Sequence, residues 1–237
     1  MEFLMSEVSL VSITEPKIRI DVEGNAKRYL TPEELIVYCA RVSNAENQLN
    51  METAPKLLNY CIKHGHWSIF EQVNLSFEIT TSRAIAQQII RHKTICFQEL
   101  SQRYQKAQEF EPIELRKQDE KNRQNSTDDL SDVDQAWFHT ERAKILNDTV
   151  ALYDEALSRG IAKECARFVL PLNTRTRLYA NANVRSWITY LSVRLHKSTQ
   201  KEHRDIANGI KEIFIERLPV ISNALDNFAG WEDEKKI

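Results

Sequence analysis

The stretch Arg91-His92-Lys93-Thr94-Ile95-Cys96-Phe97-Gln98-Glu99-Leu100-Ser101-Gln102-Arg103-Tyr104 is the most informative part of the chain. It combines three cations, one carboxylate, one imidazole, one thiol and several hydroxyls within fourteen positions. One interpretation is the solvated surface of an ordinary helix, but the stretch lacks the apolar stripe that such a helix needs. If the chain bends here instead, the same groups can converge on one small anion. Arg would then contribute paired hydrogen bonds, and Gln and Ser neutral donors.

The segments before this stretch predict a rigid support for it. Apolar and polar residues alternate from Val73 to Ile79, which is typical of a half-buried strand. Ser82 then favours the start of a helix that runs through Ile89 and delivers Arg91. A site formed around Arg91 would therefore be mounted on regular secondary structure.

Composition excludes several classes of protein. The chain has 237 residues, and 32 Lys and Arg against 34 Asp and Glu give a net charge of −2. No global field attracts nucleic acid or an anionic membrane, so an anion site must be local. The four cysteines show no spacing typical of a zinc site or a secreted disulfide framework, which favours a reducing cytoplasm. No charged-then-apolar leader opens the chain and no apolar run approaches a membrane span, so we expect a cytoplasmic protein.

The rest of the chain predicts a mixed α+β domain, residues 1–237, with an exposed polar excursion at about 105–131. None of its five glycines falls in a Rossmann or P-loop pattern, so cations and side-chain donors must bind any nucleotide. Before the excursion, the further predicted elements are one or two strands in residues 1–20 before a turn at Gly24-Asn25, a helix from Thr31 to about Ser43 with Val42 inward, and a helix from Thr53 to Gly65. After it, they are a helix from Asp132 to Arg159 stopped by Gly160, a short helix from Ala162 to Val169, a strand from Thr174 to Asn181 and a helix from Asn183 through Arg194. The last predicted elements are a helix from Gln200 to Leu218 stopped by Pro219 and a frayed tail at Lys235-Lys236.

The stretch from Arg91 to Tyr104 resembles the signature of flavin-dependent thymidylate synthases (ThyX), written RHRxxSxNExSxRY. The matching positions, all in register, are Arg91, His92, Glu99, Ser101, Arg103 and Tyr104. Lys93 stands where the family usually has Arg, Cys96 where it has Ser, and Gln98 where it has Asn.

Three further segments resemble the family in the same order. The first is His64-Gly65-His66-Trp67-Ser68 followed by Phe70-Glu71, although histidines at a helix end could also simply interact with the helix dipole. The second is Arg167 in an ARxxLPLN run, although the Arg taken alone is better explained as a buried structural residue than as a ligand contact. The third runs from Asn183 to Arg194 and is similar to the NxRS…LR segment; Thr189 replaces the Asn or His often found there.

The resemblance implies a fold and a set of site residues. The fold would be a single ThyX-like domain with a twisted, mainly antiparallel sheet flanked by helices, assembled as a homotetramer whose sites are shared between subunits. The catalytic residue would be Arg194, beside the uracil ring, and His66 would lie near the folate. The implied dUMP residues are Gln88, Arg91, Glu99, Leu100, Ser101, Gln102, Arg103, Arg167 and Arg194. The implied FAD residues are Ser68, Arg91, His92, Lys93, Thr94, Glu99, Asn183, Arg185 and Thr189.

The implied reaction is the reductive methylation of dUMP to dTMP. The family uses 5,10-methylenetetrahydrofolate as carbon donor, FAD as hydride carrier and NADPH as reductant, with no metal. Neither a membrane nor a nucleic acid is an expected partner.

Two alternatives remain open from the residues. A nucleotide or single-stranded RNA binding module could place Arg91, Lys93, Arg103, Arg175 and Arg177 on phosphates, although the overall acidity and the missing RNA-binding signatures disfavour it. A diverged ThyX-like protein could bind flavin without making dTMP.

Overall fold

The computed structural model describes residues 6–22, 26–106, 109–229 and 231. The predicted turn at Gly24-Asn25 and the predicted tail at Lys235-Lys236 lie outside these residues. The chain divides into two compact units. Unit 1 contains Met1–Ser6, Thr80–Ile89 and Glu99–Leu178, and unit 2 contains Glu7–Ile79, Ile90–Gln98 and Tyr179–Ile237.

Strands and helices alternate along the described chain. In chain order they are β1 (Glu7–Ile13), β2 (Arg19–Val22), β3 (Ala26–Tyr29), α1 (Pro32–Ala40), α2 (Ala54–Lys63), β4 (Asn74–Ser82), α3 (Arg83–Ile89), β5 (Cys96–Glu99), β6 (Lys117–Gln118), β7 (Ser126–Thr127), α4 (Asp132–Ser158), α5 (Lys163–Ala166), β8 (Arg175–Asn183), α6 (Val184–Arg194), α7 (Lys201–Arg217) and α8 (Pro219–Ala224). Short 3₁₀ turns follow α1, α2 and α5, at Ala45–Asn47, Trp67–Gln72 and Arg167–Val169, and Leu225–Ala229 is a π-helical turn.

The main sheet has four strands in the order β1-β4-β8-β5. Strands β2 and β3 form an antiparallel hairpin, and so do β6 and β7. This architecture confirms the predicted mixture of helices with antiparallel strands. The alternation in β4 is also confirmed, because Leu75, Phe77 and Ile79 are all completely buried.

The core of unit 2 is built where α6 meets β4. Trp187 is completely buried, and its ring meets Phe77 edge-on with 4.8 Å between centroids. Because a buried indole N–H needs an acceptor, Trp187 Nε1 donates to the Leu75 carbonyl at 3.1 Å. Helix α6 also packs against α7, which in turn packs against β1. This packing fixes the orientation of α6, the helix that ends at Arg194.

In unit 1, a buried carboxylate ties several segments together. Glu111 is 5% exposed, and its side chain accepts hydrogen bonds from the Ser6 hydroxyl, from Thr81 Oγ1 at 3.3 Å and from the Ser82 backbone N–H at 3.0 Å. The Glu111 carbonyl also accepts from Asn173 Nδ2 at 3.0 Å. The end of β4, where α3 begins, is therefore anchored by one acidic residue.

Helix boundaries follow the predicted signals closely. The Thr31 hydroxyl accepts from the Glu34 backbone N–H while the Glu34 side chain accepts from the Thr31 N–H, which confirms the capping box of α1. Gly65 and Gly160 follow α2 and α4 with φ of 70° and 82°, a region that favours glycine at helix ends.

Three sequence predictions are wrong in detail. Val42 was expected inward but is 73% exposed, because α1 ends at Ala40 and Val42 lies in the following turn. The excursion at 105–131 was expected to be exposed, yet Phe110 and Glu111 are buried within unit 1. Helix α3 begins directly after Ser82 as predicted, but its first two amides donate to the carbonyls of Thr174 and Leu172, so the Ser82 hydroxyl is not their cap. Periodicity could not reveal the partners of Glu111 or of these two amides, because they lie in distant parts of the chain.

Among the described residues, no helix combines the length and the apolar composition needed to cross a bilayer.

Glu33 is a buried carboxyl group in unit 2. It is 8% exposed, and its Oε1 accepts from the Ile221 backbone N–H at 2.8 Å, in the first turn of α8. Burial raises the pKa of Glu33 from 4.5 to about 7, although the backbone N–H groups of Ile221 and Val220 act in the opposite direction. The folded state therefore binds this proton more tightly than the unfolded state does.

We expect this raised pKa to make stability decrease with pH. Between about pH 4.5 and 7 the unfolded chain loses the Glu33 proton first, so the free energy of unfolding falls as pH rises, by about 3 kcal/mol in total at about 1.4 kcal/mol per pKa unit. Glu33→Gln keeps a carbonyl acceptor for Ile221 but cannot ionise, so it should lose this slope. Denaturant unfolding at pH 5 and pH 8 tests this, with exposed Glu46→Gln as control. Parallel pH curves for wild type and Glu33→Gln would contradict it.

Candidate active site

The stretch from Arg91 to Tyr104 bends rather than continuing as a helix. After α3 ends at Ile89 the chain turns, with Ile95 N–H donating to the His92 carbonyl at 3.2 Å, and then enters β5. Buried Ile95 holds this turn in unit 2, while Arg91 and Lys93 are exposed. Residues 90–98 belong to unit 2, and the rest of the stretch, from Glu99 to Tyr104, belongs to unit 1.

In unit 1, Glu99 is held by two donors to the same oxygen. Arg83 Nη1 lies 2.5 Å from Glu99 Oε1, and Thr176 Oγ1 donates to that oxygen at 2.9 Å. Arg83 is the first residue of α3, whose first two amides donate to the carbonyls of Thr174 and Leu172 at 2.9 Å. Sequence reasoning missed Arg83 and Thr176, because neither lies in a recognisable motif.

Ser101 and Arg103 line a cavity of about 370 Å³ in unit 1. Lys163 and Glu164 of α5 complete its polar lining together with Tyr104. Arg103 is paired with Glu164, with Nη2 to Oε2 at 2.8 Å, and Lys163 Nζ donates to the Tyr104 carbonyl at 3.0 Å. A guanidinium, an ammonium and a hydroxyl at one cavity suit a phosphate group, which would compete with Glu164 for Arg103.

The other predicted dUMP residues of unit 1 differ in their surroundings. Gln102 is 6% exposed, and its Nε2 has no hydrogen-bond partner among the described residues. The Leu100 N–H donates to the Arg177 carbonyl at 2.9 Å, so the sheet uses that amide. Arg167 is half-buried, with its guanidinium 5.9 Å from the centre of the exposed Phe168 ring. Gln88 is half-buried on α3.

A second cavity in unit 1, of about 430 Å³, was not predicted. Its polar lining is Thr80, Gln105, Lys106, Glu109, Arg175, Thr176 and Arg177, with Leu100 as the apolar member. Lys106 Nζ lies 2.6 Å from Asp154 Oδ1. Lys106 and Glu109 fall in the predicted polar excursion, so composition gave no sign that they would line a cavity.

In unit 2, Arg194 contacts a histidine from the motif. Arg194 Nε donates to His92 Nε2 at 2.8 Å, which links the end of α6 to the turn before β5. The His92 ring meets Tyr190 edge-on with 4.8 Å between centroids, and the Tyr190 hydroxyl lies 3.0 Å from His203 Nε2. Burial, and then the charge of Arg194, lower the pKa of His92 to about 4, so its imidazole is neutral at neutral pH.

The start of α6 presents a second group of donors in unit 2. The Asn183 side chain accepts from the Ser186 N–H at 2.8 Å and so caps the helix. Arg185 is exposed and lies 2.5 Å from Glu71, in the 3₁₀ turn that follows His66 and contains Ser68. The Thr189 hydroxyl donates to the Arg185 carbonyl at 3.1 Å.

Exposed imidazoles lie at the end of α2. The rings of His64 and His66 have centroids 6.3 Å apart, and the Tyr60 ring lies 4.3 Å from His64 and 5.7 Å from His66. All three residues are exposed, so the cluster offers an aromatic surface to a ligand.

The donor set of unit 2 fits an anionic dinucleotide such as a flavin. Arg185 and Lys93 are exposed cations, Ser68 and Thr94 are exposed hydroxyls, and the capped N-terminus of α6 carries partial positive charge. These groups provide phosphate donors without a glycine-rich loop.

The comparisons with known proteins agree with one another. The model of the family described as thymidylate synthase complementing protein matches residues 27–220. A flavin-dependent thymidylate synthase of Synechocystis sp. is 52% identical over 220 residues, which is 93% of this chain and 99% of that protein. A probable flavin-dependent thymidylate synthase of Paramecium bursaria Chlorella virus 1 is 51% identical over 218 residues, which is 92% of this chain and 97% of that protein.

A solved structure shares the fold. The crystal structure of the UMP/dUMP methylase PolB from Streptomyces cacaoi, bound with 5-Br dUMP, matches with a TM-score of 0.80 at 24% identity and covers 96% of this chain and 98% of that one. The long matches at half identity, together with the family match over most of the chain, establish the relationship: this chain belongs to the family of flavin-dependent thymidylate synthases.

Proposed function

We propose that the chain catalyses the reductive methylation of dUMP to dTMP, as its family membership supports. The observation that carries the proposal is the contact of Arg194 with the neutral imidazole of His92, at 2.8 Å. The neutral His92 imidazole accepts from this guanidinium and adds no negative charge of its own. Such a cation is what methylation at C5 of uracil requires, because the ring must gain electron density before C5 can act as a nucleophile.

Arg194 is the proposed catalytic residue. Its guanidinium would lie at the N3/O2/O4 edge of the uracil ring and stabilise the negative charge that develops there. Charge stabilisation of this kind needs a group that is already oriented before the reaction starts, and α6 and His92 provide that orientation.

The remaining dUMP residues are proposed as the phosphate and sugar site. Ser101 and Arg103, which already share a cavity with Lys163, would bind the phosphate. Glu99, oriented by Arg83, would accept from substrate hydroxyl or imide groups. The other proposed dUMP contacts are Gln88, Arg91, Leu100, Gln102 and Arg167.

FAD is the proposed cofactor, and it supplies hydride transfer when bound. The residues proposed to hold it are Ser68, Arg91, His92, Lys93, Thr94, Glu99, Asn183, Arg185 and Thr189. For Arg185, binding a flavin phosphate means exchanging its ion pair with Glu71. We further propose 5,10-methylenetetrahydrofolate as carbon donor, with His66 near it, and NADPH as reductant.

Assembly is also a proposal. We propose that residues 1–237 form one catalytic domain that assembles as a cytoplasmic homotetramer with sites shared between subunits. Analytical ultracentrifugation of the purified protein measures the oligomeric state directly.

The activity itself is tested by release of tritium from 5-³H-dUMP. We expect release only when flavin, reductant and 5,10-methylenetetrahydrofolate are all present, with stoichiometric dTMP. Each component is added singly and then in combination. Flavin binding without any tritium release would instead support a diverged flavoprotein, and the absence of both would reject the proposal.

Flavin affinity should respond to Lys93. Lys offers a single point charge where the family usually has the planar fork of Arg, so Lys93→Arg should bind FAD more tightly, by roughly tenfold for one additional charge-assisted hydrogen bond. Quenching of flavin fluorescence on titration measures the dissociation constant. An unchanged or higher dissociation constant would show that Lys93 does not contact the flavin.

Arg194→Ala should lower the rate of the chemical step by about a hundredfold, equivalent to about 3 kcal/mol. A cation that only interacts with the helix dipole is worth about 0.3–1 kcal/mol, so the two roles differ in size. Arg194→Lys should rescue only part of the rate, since it keeps the charge but loses the planar fork.

The measurement for Arg194 is single-turnover oxidation of reduced flavin with dUMP and 5,10-methylenetetrahydrofolate present, together with a thermal melt. Near-normal oxidation and dTMP yield in Arg194→Ala would show a structural role. The pyrimidine contact would then have to be Arg167 or Arg91.

A further inference from the structure

Arg194 is the end of a chain of side-chain contacts that begins deep inside unit 2. His203 and Tyr190 are both completely buried, and the Tyr190 hydroxyl lies 3.0 Å from His203 Nε2. The Tyr190 ring packs edge-on against His92, and His92 Nε2 accepts from Arg194 Nε at 2.8 Å. All four residues belong to unit 2.

The hydrogen bond determines the tautomer of His92. A guanidinium Nε always carries its hydrogen, so His92 Nε2 must contribute the lone pair. Because the imidazole is neutral at neutral pH, its single hydrogen then lies on Nδ1. Protonation of His92 would remove the acceptor and place a second cation against Arg194.

His92 is a different kind of partner from the carboxylates that contact three other arginines. Arg83, Arg103 and Arg185 each pair with a carboxylate, which offsets their charge. The imidazole of His92 orients the guanidinium of Arg194 without adding a negative charge. A cation whose orientation is fixed before the reaction is what stabilisation of a developing anion requires.

The buried pair behind His92 restricts its movement. Burial raises the pKa of Tyr190 and lowers that of His203 to about 3, so a protonated phenol faces a neutral imidazole. The hydrogen bond between the Tyr190 hydroxyl and His203 Nε2, whose direction depends on the His203 tautomer, fixes the ring on which His92 packs. His203 lies outside every segment that resembles the family signature.

We propose that His92 is a positioning residue for Arg194, acting through its Nε2 acceptor, and that the Tyr190–His203 pair holds its ring in place. The inference rests on the proposed function, because it assigns a role in the reaction in which Arg194 takes part. It is separate from the proposed flavin contact of His92, since it acts through Arg194.

A double-mutant cycle separates these two roles. His92→Leu removes the acceptor, and we expect the single-turnover rate to fall roughly ten- to hundredfold with dUMP and FAD bound at saturation. In an Arg194→Ala background the same substitution should lower the rate by less than about twofold, because the residue it orients is gone. His92→Gln retains a carbonyl acceptor and should recover most of the rate.

Flavin absorbance shows whether each variant has FAD bound, and titration with dUMP shows whether it binds the substrate. Exposed His139→Leu makes the same chemical change on α4, and its rate should match the wild type. The proposal would be overturned if the rate losses of His92→Leu and Arg194→Ala were additive in the double mutant. It would also be overturned if His92→Gln, with FAD and dUMP bound, were as slow as His92→Leu.

A spectroscopic readout keeps the inference independent of turnover. In ¹⁵N-histidine spectra, His92 should show an unprotonated Nε2 whose shift changes in Arg194→Ala. The positioning contact would be rejected if Nε2 were protonated, or if its chemical shift were the same in Arg194→Ala as in the wild type. An enzyme that shows the expected shift but forms no dTMP would reject the proposed function and leave the contact intact.

Discussion

The local charge of each unit depends on how its arginine side chains are paired with carboxylates. Arg83 pairs with Glu99, Arg103 with Glu164 and Arg185 with Glu71, each within its own unit. Arg83 and Glu99 are half-buried, so their pairing offsets the cost of taking the guanidinium out of water, whereas the two exposed pairs contribute at most about 1 kcal/mol each. An anionic ligand would have to compete with these carboxylates for the guanidinium groups.

Arg194 also donates to an imidazole, that of His92. This half-buried imidazole is neutral at neutral pH, since desolvation and the neighbouring cation both disfavour its protonated form. The same physical effect acts on His203, whose surroundings are closed on all sides by the core of unit 2. The hydrophobic packing of α6 thus has an electrostatic consequence, because it determines the charge state of the groups that surround Arg194.

Local signals in the sequence predicted many elements correctly and failed where distant contacts decide. The capping box at Thr31 and Glu34 and the alternation from Leu75 to Ile79 each depend on neighbours a few residues away, and both are confirmed. Glu111 lies in a segment of low hydrophobicity, yet it is buried because Ser6, Thr81 and Ser82 come to its carboxylate. No periodicity within residues 105–131 could reveal those partners.

The sequence by itself determined the family and the candidate residues, because the motif from Arg91 to Tyr104 and the three segments that accompany it have a specific order and spacing. Only the tertiary structure decided which groups those residues contact. Arg83 and Thr176 meet Glu99, and His203 lies behind Tyr190 and His92, although each pair is separated in sequence. The reason is physical: a motif specifies the types of side chain, whereas charge state and orientation depend on burial and on partners that folding brings from other parts of the chain.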